Sequence, residues 1–315
     1  MTLDLSIIVC SDRLPLKLES IKSCLDKIIF PSQLSYEIIL IDNRPIQHKE
    51  PEIDKLAQPT NSKIIREPKR GLSNARNCGL AHACGDIILF TDDDVIPNPQ
   101  WITSMIPPLQ NETSDAVAGI VCLAPDLVPS HFSQKLRAYL AENLEKEQAS
   151  NEPTLLTGAN MAFSRSVLNK VPLFDPELGA GALGFAEETL FSLQLQQAGF
   201  RIVNAGPDSS VEHHFDSSRI TRSNFISTSE KIGKTAAYLD YHWRHNETPA
   251  TRLTLARAKL KLAIKRRLRH KRTLSPEGIE EWEMNAISEV AYQEQLLIEQ
   301  NRPRNYEKLG LRRLR

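Results

Sequence analysis

The 315-residue sequence lacks several features that would assign its class directly. No segment approaches the ~20 apolar residues of a transmembrane helix, and the first apolar run, LSIIVC, lacks the basic flank of a signal sequence. The five cysteines are odd in number and form no C-x-x-C pair, which indicates free thiols in a reducing compartment. The formal net charge is zero, so no overall field attracts nucleic acid. We therefore expect a cytoplasmic protein with no nucleic-acid partner.

The first predicted strand is followed by no glycine, since the chain continues as VCSDRLPLK. A G-x-G-x-x-G turn at this place would bind the pyrophosphate of a nicotinamide dinucleotide, and its absence argues against hydride transfer. A metal-dependent nucleotidyltransferase typically brings a glycine-rich basic loop to the same position. That class is therefore kept only as an alternative.

Short β-branched runs alternate with helical patterns from Leu5 to Ala205. The predicted strands include LSIIVC, YEIILID, SKIIRE, DIILFT, AVAGIVCL and the start of the segment LLTGANMAFS, and the predicted helices include GLSNARNCGLAHAC and AEETLFSLQLQQAGF. Asn98 and Pro99 are predicted to cap and open another helix. The alternation predicts an α/β protein with a largely parallel sheet flanked by helices.

The α/β pattern ends after about residue 215, and beyond it basic and acidic residues lie in separate segments. The segment from Arg252 to Arg272 has ten Lys or Arg and no acid, whereas Pro276 to Gln300 has seven Glu and no Lys or Arg. We predict an α/β domain over residues 1–245 and a helical C-terminal appendage over residues 246–315. The basic segment 252–272 either pairs with the Glu-rich helix as a hairpin or contacts the inner face of an anionic membrane.

Polar side chains follow three of the predicted strands. Ser11 ends the first, Asp42 ends the second, and the aspartates 92–94 follow the fourth. The carboxyl ends of parallel strands share one edge of a sheet, where ligands usually bind. Three adjacent carboxylates repel one another unless a divalent cation offsets them, and Mg²⁺ or Mn²⁺ commonly shares its shell with a diphosphate. The alternative is a solvated turn that leads into the Asn98 cap.

Six segments in this order resemble the GT-A-fold glycosyltransferases of family 2, which are inverting enzymes that use nucleotide-diphospho-sugars. They are SIIVCSDR, EIILIDN, RGLSNARNCGLAHACGDIILFTDDD, LLTGANMAFSR, FDPELGAGALGFAEETLFSLQLQQAGFRI and VEHHFDSSRIT. The resemblance implies a Rossmann-like sheet and transfer of a sugar, from a UDP-sugar by preference, to a sugar or lipid-linked acceptor. The expected setting is the synthesis of a surface polysaccharide or glycoconjugate. A non-catalytic nucleotide-sugar-binding module is the alternative.

The resemblance also implies a donor and metal site. Asp42 would accept hydrogen bonds from the base or ribose, and Arg76 would either serve the diphosphate or be a surface charge of its helix. His213 matches the family's V-x-H better than His214 does. The expected ligands of Mn²⁺ or Mg²⁺ are Asp94, Asp92 and His213. The expected donor-binding residues are Ser11, Arg13, Asp42, Arg76, Asp92 and Asp93.

The remaining assignments concern the acceptor side. Glu188, the second acid of AEET, matches the family's catalytic base, where an aspartate is usual, and Glu187 matches the supporting acid. Gly158 and Asn160 match a G-A-N element near the acceptor. Without these roles, the two glutamates would simply suit the first turn of a helix, and the G-A-N element would be an ordinary turn.

Overall fold

The computed structural model describes residues 3–14, 16–45, 61–130, 132–143, 154–269 and 279–311. Residues 270–272 of the basic segment and 276–278 of the Glu-rich segment lie outside these ranges. The chain forms two compact units. The first comprises Met1–Val128, Ala141–Pro176 and Glu187–Phe215, and the second comprises Pro129–Leu140, Glu177–Ala186 and Asp216–Arg315.

A seven-stranded sheet forms the core of the first unit. Its strands are β1 Leu3–Ser11, β2 Tyr36–Asp42, β3 Ser62–Arg66, β4 Gly85–Asp92, β6 Ala116–Ala118, β8 Asn160–Ser164 and β9 Ile202–Asn204. They lie in the order β3-β2-β1-β4-β8-β6-β9, and β8 alone runs antiparallel to its neighbours β4 and β6. The continuous apolar runs of β1 and β4 are buried, as expected for strands covered on both faces. The predicted α/β class with a largely parallel sheet is confirmed.

The run AVAGIVCL, predicted as one strand, forms two. Its first half is β6, whereas its second half, β7 Val121–Leu123, belongs to a smaller sheet with β5 Val95–Pro97 and β10 Val211–His213. The chain leaves the larger sheet at Gly119, where a Cβ would overlap the side chain of Asn160. Glycine is therefore required at this point, and periodicity alone cannot reveal such a change of sheet.

In the part of the first unit that the structure describes, the α-helices are α1 Leu18–Leu25, α2 Leu72–His82, α3 Trp101–Met105, α4 Pro107–Gln110 and α6 Glu187–Gln197. The predicted cap at Asn98 is wrong, because α3 begins at Trp101 with Gln100 as its N-cap; Asn98 Oδ1 instead accepts a hydrogen bond of 2.9 Å from the backbone N–H of Gln100 in the turn before the helix. All five cysteines are free thiols. No helix in the described ranges is both long and apolar enough to cross a membrane.

The second unit is helical, with α5 Gln134–Tyr139, α7 Arg222–His242, α8 Arg252–Arg269 and α9 Glu281–Glu299. Helix α7 packs along α9, and Gly233 permits this approach because a Cβ there would overlap the Ser288 carbonyl. The unit therefore includes residues 216–245, which differs from the predicted boundary at 245. Whether residues 246–315 act as a separable appendage stays a prediction.

The basic helix pairs with the Glu-rich helix inside this unit. Lys259 lies 2.7 Å from Glu294, and Arg266 lies 2.7 Å from Glu283. Between the two alternatives for the basic segment, the hairpin is present over the described part, residues 252–269.

Candidate functional site

The carboxyl ends of β1, β2 and β4 lie side by side. Ser11 is in register with Asp42, and Cys10 is in register with Asp92. The parallel pairing therefore brings the polar residues after these strands to one edge, as the sequence predicts. The aspartates 92–94 have clearly different surroundings there.

Asp93 faces the protein. The Ser11 hydroxyl donates a hydrogen bond to its carboxylate, and Arg13 Nη2 lies 2.9 Å from its Oδ1. Burial raises the pKa of Asp93, while the hydrogen bond from Ser11 and the charge of Arg13 oppose that rise. Ser11 and Arg13, expected to contact the donor, are engaged with this carboxylate, although Arg13 also lies 3.4 Å from Asp94 Oδ2.

Asp94 lies next to His213. The antiparallel pairing of β10 with β5 places His213 opposite Val95, and the backbone N–H of His214 donates to the Asp94 carbonyl at 2.7 Å. His213 Nε2 consequently lies 3.4 Å from Asp94 Oδ1. The side chain of His214 is directed elsewhere, with its Nε2 2.6 Å from Glu212. The structure thus brings together the aspartate and the histidine that the sequence selects.

The Asp94 and His213 pair fits part of a cation shell. No group of three or more His, Cys, Asp or Glu side chains is arranged to hold a metal within the ranges that the structure describes. Mg²⁺ and Mn²⁺ typically take only one or two protein ligands beside phosphate oxygens and water, so a carboxylate with an imidazole is a suitable set.

Asp92 is the third carboxylate of the cluster. Loss of hydration raises its pKa to about 6, the positive charge of Arg76 opposes the rise, and the negative charge of Asp94 adds to it. A carboxylate in these surroundings gains from any positive charge placed nearby. Asp92 therefore remains a candidate ligand of a cation whose coordination shell the diphosphate of the donor would complete.

Arg76 is fully buried, so its interpretation as a surface charge of α2 is wrong. Its guanidinium lies 5.8 Å from the ring centre of Phe90 and 5.5 Å from that of Phe174, and its Nη1 lies 2.5 Å from Glu187 Oε1. Gly158 leaves room for it, because a Cβ there would lie 2.6 Å from Arg76 Nη2. The arginine thus holds the start of α6 through Glu187, and Gly158 leaves the space that its guanidinium occupies.

The charge of Arg76 is shared among three carboxylates. Burial alone would lower the pKa of the guanidinium, but Glu187, Asp92 and Glu188 outweigh that effect and raise it. A cation that interacts with both Asp92 and the acids of α6 connects the sheet edge to the candidate base. Arg76 is therefore a positioning residue between the two parts of the site.

Glu188 is the acid of α6 that Arg76 does not bind directly. Its side chain is partly exposed. Loss of hydration and the nearby charge of Glu187 raise its pKa to about 8, against the opposing charge of Arg76. A carboxylate with such a pKa suits proton transfer near neutral pH. Glu187, in contrast, is buried in its ion pair and holds Arg76.

Asn160 is not available to an acceptor, which corrects its expected role. Its side chain is 0% exposed. The Oδ1 accepts a hydrogen bond from Trp101 Nε1 at 2.9 Å, and the Nδ2 donates to the carbonyls of Ile120 at 2.8 Å and Ser209 at 2.7 Å. The amide is fully used in joining these segments, so Asn160 is structural here, while the acceptor role of Gly158 stays a prediction.

Asp42 is similarly engaged. Arg44 donates from Nε and Nη2 to its two oxygens, each at 2.8 Å, and Arg66 Nη1 lies 3.1 Å from Oδ1. With Asp42 1% exposed, this arrangement does not present the carboxylate to a nucleoside. The sequence did not lead us to select Arg44 as a partner of Asp42, although its position two residues after Asp42 could have indicated this ion pair.

Comparisons with known proteins identify the family of this chain. Glycosyl transferase family 2 matches residues 6–171. Polypeptide N-acetylgalactosaminyltransferase 11 of Xenopus tropicalis is 29% identical over 123 residues, covering 37% of this chain and 20% of that protein. Glucosyl-dolichyl phosphate glucuronosyltransferase of Haloferax volcanii is 26% identical over 188 residues, covering 55% of this chain and 56% of that protein. The matched part is thus well short of either relative's full length.

A solved structure extends the likeness to the fold. The mannosyltransferase of Pyrobaculum calidifontis, in complex with GDP-Man and Mn²⁺, superposes with a TM-score of 0.55 and 15% identity, covering 96% of this chain and 89% of that one. At this identity the likeness concerns the fold, a GT-A sheet with flanking helices. The family match covers more than half of the 315 residues, and the chain therefore belongs to glycosyl transferase family 2.

Proposed function

We propose that this chain transfers a sugar from a nucleotide-diphospho-sugar to an acceptor hydroxyl, with inversion at the anomeric carbon. One observation carries the proposal. Within the first unit, His213 Nε2 lies 3.4 Å from Asp94 Oδ1 at the sheet edge where the carboxyl ends of the strands meet. Family membership supports the reaction class.

Asp94 and His213 are the residues that would hold a divalent cation, with Asp92 beside them. When bound, Mn²⁺ or Mg²⁺ supplies positive charge that stabilises the diphosphate as it leaves. The Mn²⁺ in the mannosyltransferase complex supports Mn²⁺ for this chain.

Glu188 acts on the acceptor. Its ionised carboxylate takes the proton of the acceptor hydroxyl as that oxygen forms a bond to the anomeric carbon. The bond between this carbon and the diphosphate oxygen breaks, and its electron pair leaves with the nucleoside diphosphate. Attack from the face opposite the leaving group gives inversion. Glu187 and Arg76 fix the first turn of α6, which carries Glu188.

The donor and acceptor are proposed at the level of chemical class. A UDP-sugar is our first choice, and the GDP-Man of the solved relative makes a GDP-sugar the direct competitor. The archaeal relative is named for a dolichyl phosphate substrate, which supports a lipid-linked acceptor. A sugar within a growing polysaccharide or glycoconjugate is the other acceptor class.

The test measures nucleotide binding and turnover in the full chain. Calorimetry with UDP and with GDP, each with and without Mn²⁺, should show metal-dependent affinity for one of them. Asp94→Asn should abolish that dependence, because the carboxylate is the principal ligand. Asp86→Asn, an exposed aspartate at the other end of β4, is the matched control and should bind normally.

Turnover then distinguishes an enzyme from a binding module. Nucleoside diphosphate should be released from the bound nucleotide-sugar in the presence of an acceptor. Binding without release across acceptor classes would favour the non-catalytic module. Normal Mn²⁺-dependent binding by a folded Asp94→Asn variant would remove Asp94 from the cation site.

A further inference from the structure

Helix α8 has two different sides. It contains no buried residue. On one side Leu255, Ala258 and Leu262 are half-buried, and Lys259 and Arg266 form ion pairs with α9. This side accounts for the hairpin. The other side has no counterpart in the described part of the second unit.

The outer side carries a row of large apolar residues, which are exposed by 58%, 59%, 49% and 79%: Leu253, Leu260, Ile264 and Leu268. Their spacing of seven, four and four residues places them on one face of a helix. Single exposed leucines are normal on a protein surface, but a continuous row indicates an interaction site.

A basic row runs beside these apolar residues. Arg257, Lys261 and Lys265 follow one another at intervals of four residues and line one wall of an open groove of about 590 Å³. Trp282 and Asn285 of α9 contribute to the opposite wall. No ion pair of these three basic residues is formed within the described ranges, in contrast to Lys259 and its neighbours on the inner side.

Charge decides which occupant suits this surface. A second copy of the chain, paired through the same face, would bring the basic rows and apolar rows of two helices together, and the like charges would repel. Nucleic acid would satisfy the basic row but leave the apolar row in water. An anionic lipid bilayer satisfies both, since its phosphates attract Lys and Arg and its acyl boundary accepts leucine.

We propose that this outer face of α8 binds the surface of an anionic membrane. The outer face comprises the exposed apolar row Leu253, Leu260, Ile264 and Leu268, together with Arg257, Lys261 and Lys265 along its flank, where they border the groove beside α9. The apolar row enters the boundary between headgroups and acyl chains, and the basic row contacts lipid phosphates. The proposal stands apart from the transfer reaction, because no residue of the candidate site takes part.

Vesicle co-sedimentation of the full chain tests it. Vesicles of phosphatidylcholine alone are compared with vesicles that contain one-third phosphatidylglycerol. The protein should bind the anionic vesicles, and binding should weaken as salt is raised, because surface charges are screened. Equal binding to both vesicles, or to neither, would overturn the proposal.

Two variants separate the rows. Replacing Arg257, Lys261 and Lys265 together by Gln should lower the partition coefficient on the order of 10²-fold, since each basic residue near such a surface contributes about fivefold. Replacing Leu260 and Ile264 by Ser should weaken binding to the anionic vesicles while leaving its salt dependence in place. Circular dichroism verifies that both variants are folded.

The controls change the same residue types elsewhere. One control replaces the exposed Lys27, Lys170 and Lys308 by Gln and so removes the same number of charges. The other replaces the exposed Leu16 and Ile29 by Ser and so removes a similar amount of apolar surface. Both controls should bind vesicles as the parent protein does. A loss in the controls equal to that in the variants would overturn the proposal. Light scattering would also overturn the proposal if it showed that the parent protein is a dimer and that replacing Leu260 and Ile264 dissociates it, because the face would then bind a second copy.

Discussion

The raised pKa of Glu188 predicts an unusual pH dependence of transfer. An ordinary glutamate has a pKa of 4.5, whereas this carboxyl is raised to about 8 by lost hydration and by the charge of Glu187. A base works only when ionised. At pH 7 roughly one carboxyl in ten is ionised, and at pH 8 about half are, so the rate should rise nearly tenfold per pH unit below that point.

The assay is the pH profile of kcat/KM, which reports the ionisation of the free enzyme. It should climb through neutral pH and level off above about 8. Glu188→Gln keeps the shape but cannot take the proton, so turnover should fall by about 10² or more and the rise should disappear. Nucleotide affinity, measured over the same pH range, separates this effect from the titration of Asp92.

Glu187→Gln supplies the second arm of the test. Removing the negative charge beside Glu188 lowers the pKa of the base, so the profile should shift to lower pH while remaining pH-dependent. A parent profile that is flat above about pH 6, or a rise that persists in Glu188→Gln, would refute the assignment. If Glu187→Gln were inactive and Glu188→Gln active, the base would be the neighbouring residue.

Three further predictions concern stability and the cation. Arg76→Met leaves Glu187 buried without its partner and should lower the free energy of unfolding by about 3–5 kcal/mol, measured in denaturant. Gly233→Ala should lower Tm, because overlap with a helix backbone costs about 1–3 kcal/mol and outweighs the roughly 1 kcal/mol of better helix propensity. His213→Gln should weaken Mn²⁺-dependent nucleotide binding on the order of tenfold, less than a change at Asp94, in calorimetry.

Each of these variants has a matched control. Arg70→Met changes an exposed arginine just before α2, and Gly206→Ala changes a glycine with nothing within 4 Å of the added Cβ. His214→Gln changes the neighbouring imidazole, whose partner is Glu212. All three should behave as the parent. If a control had the same effect as its variant, the cause would not be the burial of Arg76, the close packing at Gly233 or the position of His213, respectively.

The strands and the sheet edge were predictable because burial leaves a recognisable hydrophobic pattern in the sequence. Continuous apolar runs predict β1 and β4, and the aspartates 92–94 after β4 mark the edge. His213 could be selected over His214 only through the family resemblance, but the structure gives the reason, since β10 pairs with β5 beside Asp94. Local pattern and strand register agree at this place.

Partners distant in sequence were not predictable. The Arg76 and Glu187 pair joins residues 111 positions apart, so nothing near Arg76 distinguishes it from a surface arginine. The strand that divides at Gly119 looks continuous because both halves are apolar. A periodic pattern reports whether a residue is buried, but the identity of its hydrogen-bond partners depends on the completed packing.

The buried amide of Asn160 has a consequence for how mutations in this chain will be interpreted. It joins β8 of the large sheet to the segments beside Ile120 and Ser209, and the second of these leads into β10 and His213. A substitution here, or at Gly119 beside it, displaces the histidine without touching a substrate. A loss-of-function screen will therefore score both positions as active-site residues, and only a binding assay combined with a measure of folding will separate them from the residues that perform the chemistry.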